Sequence, residues 1–219
     1  MIKLCIFDLD GTVLDTVHTI SYYGNAALLK HGVEPIPTEA YKHLVGTGIV
    51  NLIKNMLNFR NSYSDALFEA VYKDYDNAYN ADVTYKTEIF DGMKETLDKL
   101  KQDGKKLAIV SNKPDYATKE VIKTMFGEGY FDYVTGKVDG IPLKPDPTAV
   151  LYTLRHFGVN ADEAVYLGDT STDMKTGKAA GLYTIGVLWG FRDENELKSS
   201  GADTIAKETN ELYGIITCR

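Results

Sequence analysis

Lys3-Leu4-Cys5-Ile6-Phe7-Asp8-Leu9-Asp10-Gly11-Thr12 is the stretch on which the fold turns. Its apolar part is too short for a helix and runs straight into two acids and a glycine. A strand that is apolar on both faces belongs in a parallel sheet covered by helices on either side. Asp8 then emerges at the strand's C-terminal edge, where open α/β sheets place their sites. Alternation sends Leu9 away and lets Asp10 return toward Asp8. Gly11 permits a sharp turn after which backbone N–H groups can face an anion. Two carboxylates this close repel one another unless a cation or a proton lies between them. A metal with divided labour answers that, one acid ionised as nucleophile and the other protonated to serve a leaving group. Taken alone, the same residues are also what an acidic turn capping a strand looks like.

Outward from this segment, short β-rich runs alternate with longer amphipathic ones. Strands are predicted at Lys3–Phe7, Leu107–Ser111, Tyr130–Thr135, Ala164–Leu167 and Tyr183–Val187. Helices are predicted at Gly92–Asp103, Tyr116–Phe126, Pro147–Phe157 and Thr172–Ala180, with Gly104, Gly127, Gly158 and Gly181 at their stops. Strand and helix in this rhythm imply an α/β fold with a doubly wound, mostly parallel sheet. The rhythm breaks between Asp15 and Tyr85. There the pattern gives only helices, at Thr16–His31, at Thr38–Leu44 with Gly48–Leu57, and at Ser64–Tyr79. An ordinary βαβ crossover needs no such length. Residues 16–82 are therefore expected to form a small inserted helical cap, and residues 1–15 and 83–219 the catalytic core. The Tyr- and Asn-rich run Tyr72–Asn80 in that insert reads as a half-wet surface.

The bulk properties narrow the function. With 31 Asp and Glu against 24 Lys and Arg, the formal charge is -7, which opposes broad nucleic-acid binding. A small anionic substrate is still allowed, because a few local cations outweigh a distant field. The apolar run before Asp8 is shorter than a signal-peptide core, and no run approaches bilayer-crossing length. Two cysteines, Cys5 and Cys218, make no disulfide framework; Cys5 reads as a small buried hydrophobe. No membrane partner and a reducing cytoplasm are the expectation, with the chain a monomer or homodimer. His18, His31, His43 and His156 show no metal-ligand spacing.

Three further constellations follow strands or turns in the core: Ser111-Asn112-Lys113 after LAIV, Lys144-Pro145-Asp146-Pro147, and Gly168-Asp169 with Asp173 after AVYL. Singly, Ser111 could be a strand-end cap, Lys144 a surface lysine and Asp169 a helix N-cap. Together with Asp8–Thr12 they resemble, in order and strand context, the four motifs of the haloacid dehalogenase superfamily in its phosphatase branch. The resemblance implies Asp8 as nucleophile, Asp10 as acid/base, Ser111 as phosphate-gripping hydroxyl and Lys144 as the neutralising ammonium. It implies Mg2+ as cofactor, held by Asp8, the Asp10 carbonyl and Asp169, with Asp173 as a water-mediated or orienting partner. Phosphoryl transfer asks a protein mainly to position groups and neutralise charge, so these residue types suit the chemistry on their own terms.

Within that superfamily the chain is similar to the phosphoglycolate phosphatase-like enzymes. Ser111-Asn112-Lys113, the loop Gly46-Thr47-Gly48, and Gly186–Arg192 leading to Gly201-Ala202-Asp203 carry this likeness. A small phosphate ester is the implied substrate. Gly11, Thr12, Asn112, Lys113, Thr47 and Gly48 are the candidate substrate-binding residues, while Arg192 reads as a partner of the acids that follow it and Trp189 as a loop anchor. Rival readings are a β-phosphoglucomutase-like phosphomutase, a pyrophosphatase or a nucleotidase of the same superfamily. A receiver-type phospho-accepting signalling domain also clusters aspartates, a hydroxyl and a lysine around magnesium. It has no use for Asp10.

Overall fold

The computed structural model describes residues 1–219. In chain order its elements are β1 (Leu4–Phe7), β2 (Leu14–Asp15), α1 (Val17–Lys30), α2 (Thr38–Tyr41), α3 (Ile49–Phe59), α4 (Asp65–Ala81) and β3 (Glu88–Ile89). Then follow α5 (Met93–Gln102), β4 (Lys106–Pro114), α6 (Asp115–Phe126), β5 (Tyr133–Lys137), α7 (Thr148–Phe157), β6 (Ala164–Gly168) and α8 (Ser171–Ala179). The chain ends with β7 (Tyr183–Val187), α9 (Glu194–Ser199), β8 (Thr204–Ala206) and α10 (Glu211–Thr217). Six strands form one sheet in the order β5-β4-β1-β6-β7-β8, every neighbouring pair parallel.

Alternation along β1 sorts the core into two layers. Cys5 and Phe7 pack with Leu107, Ile109, Val165 and Leu167 on one face. Leu4 and Ile6 meet Ala108, Val110 and Tyr166 on the other, where α7 adds Val150 and Leu154. Each fully buried aliphatic or aromatic side chain contributes roughly 1.5–3 kcal/mol, so β1 is held from both sides. The Cys5 thiol, pushed up to about 12 by burial, is a packing group. Cys5 and Cys218 are both free.

Strand order reverses at β1: β4 and β5 are laid down on one side of it, and β6, β7 and β8 on the other. The crevice at the strands' carboxyl ends therefore opens beside β1. The helices α1 to α4 leave the sheet at the two-stranded antiparallel pair β2–β3, where Leu14 faces Ile89 and Asp15 faces Glu88. They pack on one another, α1 against α2 and α4, and α3 against α4. No helix is long and apolar enough to cross a membrane.

Several boundaries differ from expectation. The strand predicted from Tyr130 begins at Tyr133, because Tyr130 and Phe131 pack on the Phe126 ring instead, the first tilted and the second edge-on, at ring separations of 5.1 and 5.3 Å. The short elements α9, β8 and α10 went unpredicted. Three residues of edge strand carry too little periodicity to be seen. In the helical module, Tyr75 and Tyr79 are only 4% and 5% exposed, so that part of Tyr72–Asn80 is no wet surface.

Candidate active site

The site is assembled by what happens past the end of β1. Pairing of β1 with β4 stops at Phe7 and Ile109, and the register of β4 against β5 shifts between Val110 and Pro114. Ser111, Asn112 and Lys113 lie in this released stretch. Asp8 leaves β1 next to them, Lys144 comes from the loop between β5 and α7, and Asp169 follows β6. Asp8, Asp10, Ser111, Asn112, Lys113 and Lys144 line one cavity of about 70 Å3 between the sheet and the helical module.

Asp8 is buried, and one of its oxygens, Oδ1, accepts from Lys144 Nζ at 2.7 Å. The other carboxylate oxygen takes no protein donor. Lys144 also donates to Asp173 Oδ1 at 2.7 Å and to the Tyr166 hydroxyl at 3.1 Å. Asp8, Asp169 and Asp173 present carboxylate oxygens that all lie within 4.8 Å of one another. Three buried acids thus cluster with a single ammonium, which is bonded to two of them, Asp8 and Asp173. Burial, only partly offset by Lys144, pushes the Asp8 carboxyl up to about 7. Burial and the charges of Asp173 and Asp8 drive Asp169 upward as well. A divalent cation among oxygen ligands relieves this excess of negative charge, and oxygen is the donor hard cations prefer. The donor set fits such an ion.

The protein fixes each acid differently. Asp169 accepts from the Thr12 hydroxyl at 2.9 Å and from the Phe191 N–H at 2.8 Å. Gly11 and Gly190 press on the same carboxylate: a Cβ at either would meet Asp169 Oδ2 at 2.3 or 2.5 Å. Asp173 has both oxygens in use, Oδ1 by Lys144 and Oδ2 by the Thr170 N–H and hydroxyl at 3.0 and 2.6 Å. It anchors Lys144. Asp10 stands apart from the acidic trio, its Oδ1 accepting from Lys113 Nζ at 3.0 Å, and its carbonyl accepts no protein hydrogen bond. The backbone N–H groups of Leu9 and Asp10 are likewise bonded to no protein acceptor. Ser111 Oγ accepts from the Lys113 N–H at 3.2 Å, which leaves its own proton free to donate.

Four of the expected substrate-binding residues need correction. Gly11 and Thr12 do not reach the cavity: the Gly11 N–H goes to Leu14 O, the Thr12 N–H goes to Leu9 O, and both residues pack on Asp169. The turn that Gly11 permits aims the preceding amides, of Leu9 and Asp10, at the crevice. Asn112 lines the cavity, but both of its N–H donors are spent within the protein. Its amide nitrogen donates to Gly46 O and Lys144 O, both at 3.1 Å, and its oxygen accepts from the Lys144 N–H at 2.8 Å. It ties the helical module and the Lys144 loop to β4. Thr47 is exposed and outside the cavity wall. Gly48 and Lys113 do line it. Arg192 binds Glu196 at 3.3 Å, as expected of it, and also donates to the carbonyls of Lys42 and Val45 in the helical module. Trp189 anchors its loop through Nε1–H to Thr12 O at 2.9 Å. His18, His31, His43 and His156 are all exposed.

Sequence reasoning missed the far wall of the cavity: Ile20, Val45, Ile49, Leu52, Tyr75 and Tyr79, with Asp76 and Tyr116 beside them. The available signal was the spacing of Tyr75 and Tyr79, four residues apart and so on one face of a helix.

Comparisons with known proteins agree with this geometry. A family model described as haloacid dehalogenase-like hydrolase matches residues 5–187. Phosphoglycolate phosphatase of Aquifex aeolicus is 32% identical over 191 residues, covering 86% of this chain and 86% of that protein. The phosphoglycolate phosphatase of Vibrio parahaemolyticus is 30% identical over 220 residues, covering 98% and 96%. A crystal structure from Lactobacillus delbrueckii subsp. bulgaricus, provisionally assigned as a phosphoglycolate phosphatase, superposes with a TM-score of 0.92 at 29% identity, covering 98% of both chains. With the motifs gathered at one crevice and the family model spanning most of the sequence, the chain belongs to the haloacid dehalogenase-like hydrolase family, within its phosphatase branch.

Proposed function

We propose that this phosphatase hydrolyses a small phosphomonoester of the phosphoglycolate type through an aspartyl-phosphate on Asp8, with α1 to α4 acting as a cap over the site. The observation that carries the reading is the cavity itself, where Asp8, Asp10, Ser111 and Lys144 meet. Asp8, Asp169 and the Asp10 carbonyl are the groups that would hold Mg2+, which when bound supplies charge neutralisation on the phosphoryl oxygens.

In the first step the free oxygen of Asp8 attacks phosphorus. A bond from Asp8 to phosphorus forms, the ester P–O bond breaks, and Asp10 gives its proton to the departing oxygen. The Ser111 hydroxyl and the unpaired N–H groups of Leu9 and Asp10 supply donors for the phosphoryl oxygens, and Lys144 balances their charge. In the second step Asp10, now ionised, takes a proton from water as the water oxygen attacks phosphorus. The Asp8–phosphorus bond breaks and inorganic phosphate leaves.

The substrate class rests on two supports. The relatives above are phosphoglycolate phosphatases. In this chain the N-terminus of α3 carries no side-chain cap, and Gly48 and Ile49 line the cavity. Free N–H groups at a helix start favour an anion such as a substrate carboxylate. Mg2+-dependent phosphate release from phosphoglycolate, sugar phosphates, nucleoside monophosphates and pyrophosphate tests the reading. Phosphoglycolate is expected to give the highest kcat/KM. No release from any phosphomonoester would overturn phosphatase function, and isomer formation from a sugar phosphate without release would make the protein a mutase. Thr12→Val is expected to weaken Mg2+ binding about 10–100-fold, the usual cost of removing a hydrogen bond that orients a metal ligand. Calorimetric titration with Mg2+ checks it, and unchanged affinity would remove Asp169 from the metal site.

A further inference from the structure

Tyr75 and Tyr79 sit one turn apart on α4, their rings stacked at 5.5 Å and 17°. Both are buried and both line the cavity. The Tyr79 hydroxyl is sealed from solvent and has no hydrogen-bond partner. The Tyr75 hydroxyl makes no protein hydrogen bond either. A sealed phenol without a partner is costly, and the Tyr75 hydroxyl beside it is not sealed but is claimed by no protein group.

Three other polar side chains around the cavity are committed. The Lys113 ammonium is on Asp10 Oδ1 and 4.7 Å from the centroid of the Tyr79 ring. The Asn112 amide is bonded on both of its atoms. The Tyr116 hydroxyl is on Asp76 and Asn80. Burial, and after it other charged and phenolic neighbours including Asp10, pushes both phenols well above their ordinary pKa. They remain O–H donors.

We propose that Tyr75 and Tyr79 form the leaving-group subsite of this enzyme, their hydroxyls donating to an oxygen acceptor, carboxylate or hydroxyl, carried by the alcohol that the phosphoryl group leaves. The assignment rests on the phosphatase reading above and deepens it. Discrimination arises because an ester without an acceptor leaves the two phenols unpaired in the complex.

Three two-carbon esters separate the possibilities: phosphoglycolate carries a carboxylate, 2-hydroxyethyl phosphate a hydroxyl, and ethyl phosphate neither. The wild-type enzyme is expected to favour the acceptor-bearing esters over ethyl phosphate in kcat/KM. In the Tyr75→Phe/Tyr79→Phe double variant, which keeps both rings and the contact with Lys113, that preference is expected to shrink about tenfold or more. The melting temperature is not expected to fall, whereas a structural role for the hydroxyls would lower it. Loss confined to phosphoglycolate assigns a carboxylate, and loss confined to 2-hydroxyethyl phosphate assigns a hydroxyl. An equal fall for all three esters, or an unchanged preference, overturns the proposal. The same ratio is read without turnover as dissociation constants, by calorimetry with Mg2+ on Asp8→Asn enzyme with and without the two Phe substitutions. An affinity ratio indifferent to the hydroxyls overturns the subsite even if all three esters are hydrolysed. Absence of wild-type turnover on every ester overturns the phosphatase reading alone.

Discussion

Asp8→Asn is expected to lower phosphate release by about 10^4-fold or more, as loss of a covalent nucleophile does, while leaving the fold intact. The amide is nearly isosteric with the carboxylate but is a poor nucleophile. Lys144 keeps its second carboxylate, Asp173, at 2.7 Å, so no ammonium is stranded. The substitution also removes a charge the site resists. Burial, opposed in part by Lys144, moves the Asp8 carboxyl from its ordinary 3.8 to about 7. A raised acid binds its proton more tightly in the folded than in the unfolded chain. Its contribution to stability therefore declines as pH rises from about 4 toward 7, and levels off above. In metal-free buffer the wild-type melting temperature should fall across that window, and Asp8→Asn should flatten the fall. Phosphate-release assays and thermal melts against pH measure both outcomes. Activity within tenfold of wild type would remove Asp8 as nucleophile.

Lys144→Met is expected to be the most destabilising single change at the site. Lys144 is the one ammonium bonded to the buried acids, with Asp8 and Asp173 both at 2.7 Å. Removing one partner of a buried ion pair costs about 3–5 kcal/mol, because the remaining charge is left uncompensated. Here two carboxylates lose their partner together, with Asp169 close by. Magnesium should repair part of the loss, so the variant's melting temperature should rise more with added Mg2+ than the wild type's does. Turnover should still fall about 10^2–10^3-fold, the usual cost of losing one charge-stabilising donor. Melts with and without Mg2+, alongside kcat, test this. A variant as stable as wild type in chelator would mean that the acids are relieved by something other than Lys144.

How much of this was legible in the sequence depended on range. The run Leu4–Phe7 is apolar at every position, and a strand covered on both faces has to be. From that, and from acids, a hydroxyl and a lysine placed after strands or turns, the parallel sheet and the residues at its carboxyl ends followed. Gly11 was read correctly as a turn, but its role was local in the reading and long-range in the structure. What presses on it is Asp169, more than 150 positions away in the chain. Thr12 and Asn112 were misjudged for the same reason. A threonine or asparagine beside a catalytic group can donate to a ligand or to the protein, and only the folded partner decides which.

The helices between Asp15 and Tyr85 were recognisable by the length of that stretch and its want of strands, yet the face they turn inward was not. Tyr75 and Tyr79 lie in a run of tyrosines, aspartates and asparagines whose local polarity suggests water. Packing of α4 against α1 and α3 buries the two rings regardless. The sequence by itself determined the sheet, the order of the motifs and the residue types the chemistry needs, because strand periodicity and turn chemistry act over a few residues. The tertiary structure alone decided which polar groups keep a free hydrogen-bonding atom, because those atoms are claimed by partners that only folding brings within 3 Å or so.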